Sequence, residues 1–170
     1  MTASSPALAI INATIVTGDA DGSVIPDHTI IVDAHGQISR VGPSAQVEVP
    51  SGIRTIDATG KFVTPGLINA HGHAAMTLFR GLADDLPLMN WLQDHIWPAE
   101  AKWVDEAFVR DGTELAIAEQ LKGGVSCFSD MYFFPEVASE LVHKSGIRAQ
   151  LTIPVLDFPT PGARDAEEAL

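Results

Sequence analysis

The residue pattern changes at Pro65-Gly66, and this change limits the possible fold more than any other feature of the sequence. Before it, short β-branched runs alternate with turn-forming residues: IINATIV at residues 10 to 16, TIIV at 29 to 32 and QISRV at 37 to 41. Glycine, aspartate and proline between such runs indicate strands joined by tight turns. Residues 1 to 65 are therefore predicted to form a small β unit.

Longer segments follow Gly66, and predicted strands alternate there with predicted helices. Three segments are typical of strands: LINAH at residues 67 to 71, VSCFS at 125 to 129, and residues 148 to 155. Between them lie a helical region around residues 91 to 103, a helix at 105 to 122 and a short helix at 135 to 144. This alternation predicts an α/β fold with a parallel sheet. A complete (β/α)₈ barrel takes about 250 residues, so residues 66 to 170 are either part of a truncated barrel or a smaller independent α/β domain.

Charge and composition limit the classes of partner. Hydrophobic residues make up 46% of the chain and charged residues 19%, which is typical of a folded protein. Ten Lys and Arg residues against 22 Asp and Glu residues give a formal net charge of -12. This charge opposes tight binding to a nucleic-acid backbone, so we expect no nucleic-acid partner.

The expected compartment is the cytoplasm. The N-terminus lacks the positive residues that open a secretory signal, and Asn12 and Thr14 interrupt the apolar stretch that follows. No segment approaches the roughly 20 apolar residues of a membrane helix. The single cysteine, Cys127, excludes an internal disulfide framework and suits a reducing environment. We therefore expect a soluble cytoplasmic protein without a membrane partner.

Two histidines, His71 and His73, end the first strand predicted after Gly66. Side chains at positions i and i+2 of a strand point to the same side, so the two imidazoles can share one ion. In a barrel, the carboxyl end of a strand is where active sites are built. Imidazole nitrogens suit zinc, iron and similar divalent ions, and two ligands alone do not choose between them. Because a bare His-x-His pattern is short and degenerate, its context decides whether it is a metal site.

The context is PGLINAHGH at residues 65 to 73, which resembles the signature of the amidohydrolase superfamily. There, a proline-glycine turn leads from a small β domain into the first barrel strand and its metal-binding histidines. Further segments are similar to the 5'-methylthioadenosine/S-adenosylhomocysteine deaminase branch and its s-triazine hydrolase relatives: MTLFRGLADDLPL at 76 to 88, WPAE at 97 to 100 and GVSCFSDMY at 124 to 132. The competing zinc deaminase pattern, H-x-E followed by P-C-x-x-C, is absent because one cysteine cannot satisfy it.

The resemblance implies a fold and a metal site. Residues 1 to 65 correspond to the N-terminal part of a β-sandwich domain, and residues 66 to 170 to the first three βα units of a metal-dependent (β/α)₈ TIM barrel, so the chain is expected to be truncated. His71 and His73 are implied to bind a divalent metal, with zinc preferred over iron or manganese. The other metal ligands and the catalytic acid-base residues are expected beyond Leu170. The full-length form is expected to be a homo-oligomer.

Glu100 is the main candidate for substrate binding. In the W-P-x-E context of nucleoside deaminases, the resemblance assigns this glutamate to the ribose hydroxyls, and a carboxylate can accept from both hydroxyls of a diol. The alternative is a helix role, since Pro98 suits a first helical position and an acidic residue in the next turn complements the helix dipole. Trp97 and Arg164 are weaker substrate-side candidates. Asp130, which ends the second strand, could orient a neighbouring group near the site, but an aspartate after a strand is more often a loop or helix cap, and we interpret it as a cap.

The implied function is metal-dependent hydrolytic deamination of an adenine nucleoside such as 5'-methylthioadenosine or S-adenosylhomocysteine, with release of ammonia. Within the superfamily, the alternative is aminohydrolysis or chlorohydrolysis of another heterocycle, such as a guanine or an s-triazine. From a different class, residues 1 to 170 could form a non-catalytic fragment or binding module. Ammonia release from a small substrate panel separates the first two hypotheses, and metal content and turnover of the chain itself test the third.

Overall fold

The computed structural model describes residues 6–169 and divides the chain into two compact units, residues 1–65 and 66–170. Residues 1–5 and residue 170 lie outside the described residues. Part of the prediction that the chain has no secretory signal rests on residues 1–5. In the part of the chain that is described, no helix combines the length and apolar character needed to cross a lipid bilayer. The two units are described separately below.

The first unit is built on one five-stranded sheet, whose strands are β1 Pro6–Val16, β2 Val24–Asp33, β3 Ile38–Pro43, β4 Arg54–Asp57 and β5 Phe62–Val63. The strand order is β3-β2-β1-β4, and β5 also pairs with β1. Pairing is antiparallel between β1, β2 and β3 and parallel between β1 and both β4 and β5. Neighbouring residues of β2 enter different apolar clusters, because Ile30 packs with Ala13 and Ile15 whereas Ile31 packs with Ala9 and Val47. Both faces of this sheet are therefore partly covered.

The second unit contains a three-stranded parallel sheet formed by β6 Leu67–Gly72, β7 Val125–Met131 and β8 Arg148–Thr152, in the order β6-β7-β8. Strands and helices alternate along the chain as predicted, so the mixed α/β class is confirmed. The helices are α1 Leu88–Trp91, α2 Trp97–Trp103, α3 Glu106–Lys122 and α4 Pro135–Ser145, with a 3₁₀ segment at Ala74–Phe79 and a π-helical turn at Leu92–Ile96.

Local signals explain where the helices begin and end. The side chain of Asp105 accepts a hydrogen bond from the backbone N–H of Phe108 at 2.8 Å, so Asp105 caps α3 and the helix proper begins one residue later than predicted. Gly123 closes α3, and Gly146 closes α4 in the left-handed conformation that glycine adopts at low cost. The predicted third strand is shorter than expected and ends at Thr152.

The core of the second unit lies between the sheet and helices α3 and α4. Phe128, in the middle of β7, is 1% exposed and packs with a cluster formed by Ala74, Ala116, Ile117, Leu141 and Ile147. A second cluster contains Ala75, Val104, Val109, Tyr132, Phe133 and Val137. Because Tyr132 and Phe133 follow β7 directly, this second cluster lies beyond the carboxyl end of the strand and supports the residues found there.

Candidate active site

Three polar residues of the second unit, His71, His73 and Asp130, lie at the carboxyl ends of β6 and β7. The register pairs Gly72 of β6 with Asp130 of β7, so His71 and His73 lie on either side of a position that faces Asp130. In parallel sheets, loops that leave the carboxyl ends of neighbouring strands converge on one edge. The parallel register therefore brings together residues that are about 60 positions apart in the sequence.

His71 and His73 lie next to each other. Their ring centroids are 5.1 Å apart, and the ring planes are nearly perpendicular at 82°. The Nδ1 atom of His73 lies 2.8 Å from the carbonyl oxygen of Met131, and since a carbonyl only accepts, this nitrogen carries the hydrogen. The Nε2 atom of a neutral His73 ring is then unprotonated and available as a metal ligand.

Asp130 holds the backbone that follows His73. Its side chain is buried, at 4% exposure, and its Oδ1 atom accepts a hydrogen bond from the backbone N–H of Ala74 at 2.7 Å. Burial raises the pKa of the Asp130 carboxyl, and the hydrogen bond from Ala74 opposes this rise by stabilising the charged form. Consecutive residues at the end of β7 thus contact the His73 ring and the peptide group directly after it.

Glu100 lies in the first turn of α2, yet it does not face solvent as a residue placed only for the helix dipole would. It is 8% exposed, and the hydroxyl of Tyr132 donates a hydrogen bond to its Oε1 atom at 3.0 Å. Burial raises the pKa of Glu100, while the hydrogen bond from Tyr132 and the nearby His73 act in the opposite direction. Burial also raises the pKa of Tyr132, and the charge of Glu100 adds to that rise.

Two cavities meet at Glu100. The first, here called the His73 cavity, has a volume of about 200 Å³, and its wall includes His73, Trp97, Glu100 and Tyr132. The second, the Phe158 cavity, has a volume of about 220 Å³ and is lined mainly by apolar side chains. Trp97, Glu100 and Phe133 line both cavities, and the rings of Trp97 and Phe158 pack at a centroid distance of 5.8 Å. A buried carboxylate therefore stands between a histidine-lined cavity and an apolar one.

The structure brings most of the predicted site residues together. His71 lies beside His73, while His73, Trp97 and Glu100 line one cavity. Arg164 lies apart from them: its guanidinium is exposed and pairs with Glu168, with 2.9 Å between Nε and Oε2. Arg164 does not line either of the two cavities.

The histidine pair fits part of a metal site. The rings are adjacent, and the hydrogen bond to Met131 holds the His73 ring with one nitrogen free, which is the usual arrangement of a metal-binding histidine. Within residues 6–169, no group of three or more His, Cys, Asp and Glu side chains is arranged to hold an ion. The described residues could thus provide two ligands, and the others would have to come from elsewhere.

Sequence analysis missed the contact made by Tyr132, and for Asp130 it preferred a capping role over one in orienting a neighbouring group. Both were part of a motif that matched the family, but neither was assigned to the site. Their position in the sequence could have indicated a site role, because polar residues at the end of a parallel strand lie where active sites of α/β folds are built. Tyr132 is also the single tyrosine of the chain, directly after the aspartate-methionine pair that ends β7.

The second unit consists of parallel βα units and carries a histidine pair at the carboxyl end of its first strand. These features are typical of α/β proteins in which the active site lies at the carboxyl ends of the strands. The chain belongs to the amidohydrolase family, whose sequence profile matches residues 62–170. The resemblance inferred from the PGLINAHGH motif is therefore confirmed.

Individual relatives agree with this assignment. A 5-methylthioadenosine/S-adenosylhomocysteine deaminase from Saccharophagus degradans is 48% identical over 169 residues, which cover 99% of this chain and 38% of that protein. The crystal structure of an adenosine deaminase from Xanthomonas campestris with bound zinc superimposes with a TM-score of 0.91 at 42% identity, covering 98% of this chain and 38% of the other. The chain thus spans well under half the length of these relatives.

A more distant structure shares the fold alone. Atrazine chlorohydrolase from Arthrobacter aurescens, complexed with zinc, superimposes with a TM-score of 0.80 at 23% identity, covering 96% of this chain and 39% of that one. Similarity at this level supports the common architecture and does not distinguish between substrates.

Proposed function

We propose that the full-length protein is a metal-dependent hydrolytic deaminase of adenine nucleosides such as 5'-methylthioadenosine and S-adenosylhomocysteine. The observation that carries this proposal is the His73 cavity, in which a histidine of the candidate metal pair and the buried carboxylate of Glu100 line one space of about 200 Å³. The similarity to a curated deaminase that is 48% identical over 169 residues supports the same reaction class. The cytoplasmic location, the homo-oligomeric full-length form and the lack of nucleic-acid binding stay predictions from the sequence.

The proposed architecture is a (β/α)₈ barrel of which β6, β7 and β8 are the first three strands, preceded by part of a β-sandwich formed by residues 1–65. The parallel order β6-β7-β8 and the helices between the strands support it. The coverage of relatives, 38%, agrees with a chain that holds less than half of the complete protein. The remaining strands, the other metal ligands and the acid-base residues would follow residue 170.

In this proposal, His71 and His73 are two ligands of a divalent ion, with zinc preferred over iron or manganese because the similar adenosine deaminase structure contains zinc. When bound, such an ion acts as a Lewis acid that activates water near neutral pH. The described residues prepare the ligands: Met131 orients the His73 ring through its carbonyl oxygen, and Asp130 holds the peptide after His73. The reaction replaces the amino group of adenine by oxygen from water and releases ammonia.

Glu100 would bind the ribose. Its carboxylate is buried and lines both cavities, and in this proposal it accepts hydrogen bonds from the diol while the adenine occupies the His73 cavity. The Phe158 cavity, with Trp97 and Phe158 in its wall, suits an apolar 5' substituent such as a thioether. Arg164 stays a prediction, since it would have to leave Glu168 to contact the substrate.

The test uses the full-length parent protein loaded with zinc and a panel of 5'-methylthioadenosine, S-adenosylhomocysteine, adenosine, guanine and an s-triazine. We expect ammonia release with the adenine nucleosides. His71→Ala and His73→Ala should each lose bound zinc and ammonia release, because each variant lacks one of the two metal ligands that residues 1 to 170 provide. His143→Ala, on the exposed end of α4, is the matched control and should retain both.

Two results would contradict the proposal. Preferential turnover of the guanine or the s-triazine would mean that the enzyme acts on that heterocycle and not on adenine nucleosides. A parent protein that binds no zinc and releases no ammonia from any member of the panel would favour the non-catalytic alternative.

A further inference from the structure

The end of β7 contacts two different parts of the candidate site. Met131 and Asp130 hold His73 and the peptide that follows it, whereas the next residue, Tyr132, reaches Glu100 on the helical side. Tyr132 is buried, at 6% exposure, and its hydroxyl donates to the Oε1 atom of Glu100 at 3.0 Å. One short segment thus links the histidine pair to the carboxylate proposed to bind the ribose.

We propose that Tyr132 is a positioning residue for Glu100: by donating to Oε1, it fixes the plane of the carboxylate and leaves Oε2 to accept from a ribose hydroxyl. This inference rests on the function proposed above and adds to it the residue that decides how well the ribose is recognised. A carboxylate has about four acceptor sites, so one hydrogen bond from a tyrosine leaves sufficient acceptors for a substrate diol.

The hydrogen bond from Tyr132 is important for Glu100 because the carboxylate is buried. In the part of the chain that the structure describes, the Tyr132 hydroxyl is the one hydrogen-bond partner of the Glu100 side chain. A buried carboxylate without a donor is costly, and it either takes up a proton or rotates toward water. The Tyr132 hydroxyl opposes both changes, because a hydrogen bond to the charged form stabilises that form in one orientation.

The ring of Tyr132 is held firmly enough to impose that orientation. It packs against Phe133 at a centroid distance of 5.0 Å and belongs to the buried cluster that includes Val109 and Val137. A ring that is fixed on its apolar faces presents its hydroxyl at one place. The segment directly after β7 therefore contributes to the orientation of the Glu100 carboxylate, in addition to the helix that carries it.

Tyr132→Phe tests this role because it removes the hydroxyl and keeps the buried ring. In the zinc-loaded full-length protein, KM is measured for 5'-methylthioadenosine and for its 2',3'-dideoxy analogue, which lacks the ribose hydroxyls. If the analogue is not turned over, its inhibition constant takes the place of its KM. We expect KM for the nucleoside to rise about tenfold, the effect of losing one hydrogen bond to a charged group, with kcat nearly unchanged and the value for the analogue unchanged.

Two further variants serve as references. Glu100→Ala should raise KM for the nucleoside at least as much as Tyr132→Phe and should also spare the dideoxy analogue. Thr113→Val is the matched control, because it removes a fully buried hydroxyl that makes no hydrogen bond within the described residues. This control should leave both constants as they are in the parent protein.

The possible outcomes separate the two proposals. Equal effects of Tyr132→Phe on the nucleoside and its dideoxy analogue would mean that the residue acts only in packing, which overturns the positioning role and leaves the deaminase function standing. An unchanged KM for the nucleoside would also overturn it. A parent protein without deaminase activity toward any adenine nucleoside would overturn the function, and the positioning role with it.

Discussion

Asp130 shows at the scale of a single residue how a capping interaction serves a site. The sequence predicted a cap at this aspartate, and its carboxylate does accept from a backbone N–H, but the N–H belongs to Ala74, 56 residues earlier in the chain. Ala74 begins the 3₁₀ segment directly after His73. The cap of this segment therefore also holds the backbone directly after a candidate metal ligand.

Replacing Asp130 should weaken metal binding without removing a ligand. In the full-length protein, Asp130→Ala frees the Ala74 N–H and leaves it buried without an acceptor, so the loop that carries His73 is less well held. We expect zinc affinity, measured by competition with a chelator, to fall about 10- to 100-fold, as is usual when an outer partner of a metal ligand is lost.

The control for this prediction is Asp130→Asn, which keeps an amide oxygen that can accept from Ala74. Its zinc affinity should lie between those of Asp130→Ala and the parent protein. If Asp130→Ala bound zinc as tightly as the parent protein, the hydrogen bond to Ala74 would have no part in positioning His73.

At the scale of elements, the 3₁₀ segment Ala74–Phe79 packs directly against α3. Ala75 is completely buried, and a Cβ atom added to Gly112 of α3 would clash with the carbonyl oxygen of Ala75 and lie 2.9 Å from its Cα. Both contacts involve backbone atoms, which cannot swing aside as a flexible side chain can. The approach of these two elements therefore requires glycine at position 112.

Gly112→Ala should destabilise the full-length protein even though alanine is the better helix former. The added methyl group has to push the two backbones apart, and overpacking of this kind costs about 1 to 3 kcal/mol in the free energy of unfolding. Urea denaturation measures the change. Asp111→Ala, at an exposed position of the same helix, is the control and should change stability by less than about 0.5 kcal/mol. A Gly112→Ala protein as stable as the parent would show that the elements separate without cost.

At the scale of the whole molecule, the three strands of the second unit leave apolar surface uncovered. Leu67 and Ile68 of β6 are 61% and 72% exposed, although this strand carries the histidine pair. Large apolar side chains of a parallel strand are normally covered on both faces of the sheet. This exposure agrees with the proposal that further strands complete a barrel around β6, β7 and β8.

Residues 1 to 170 alone should therefore lack deaminase activity. With only two candidate ligands among the described residues, they should bind zinc far more weakly than the full-length protein. Ammonia release and metal content, measured side by side for the two proteins at equal concentration, test this expectation. Turnover by residues 1 to 170 at the rate of the full-length protein would contradict the barrel proposal.

The sequence by itself determined the elements and the location of the histidine pair. The change at Pro65-Gly66 coincides with the division of the chain into two units, and the alternation after it corresponds to strands β6, β7 and β8 with their helices. These features follow from residues close together in the chain, because side-chain periodicity, turn residues and caps act over a few positions. The proximity of His71 and His73 needs only an extended backbone between them.

Only the tertiary structure decided which groups surround that pair. Tyr132 and Glu100 are 32 positions apart, and their contact depends on the end of β7 meeting a helical segment that contains a π turn. Asp130 and Ala74 meet because β6 and β7 pair in parallel with Gly72 opposite Asp130. Long-range contacts of this kind arise from the register of strands and the packing of buried side chains, which are properties of the folded chain as a whole.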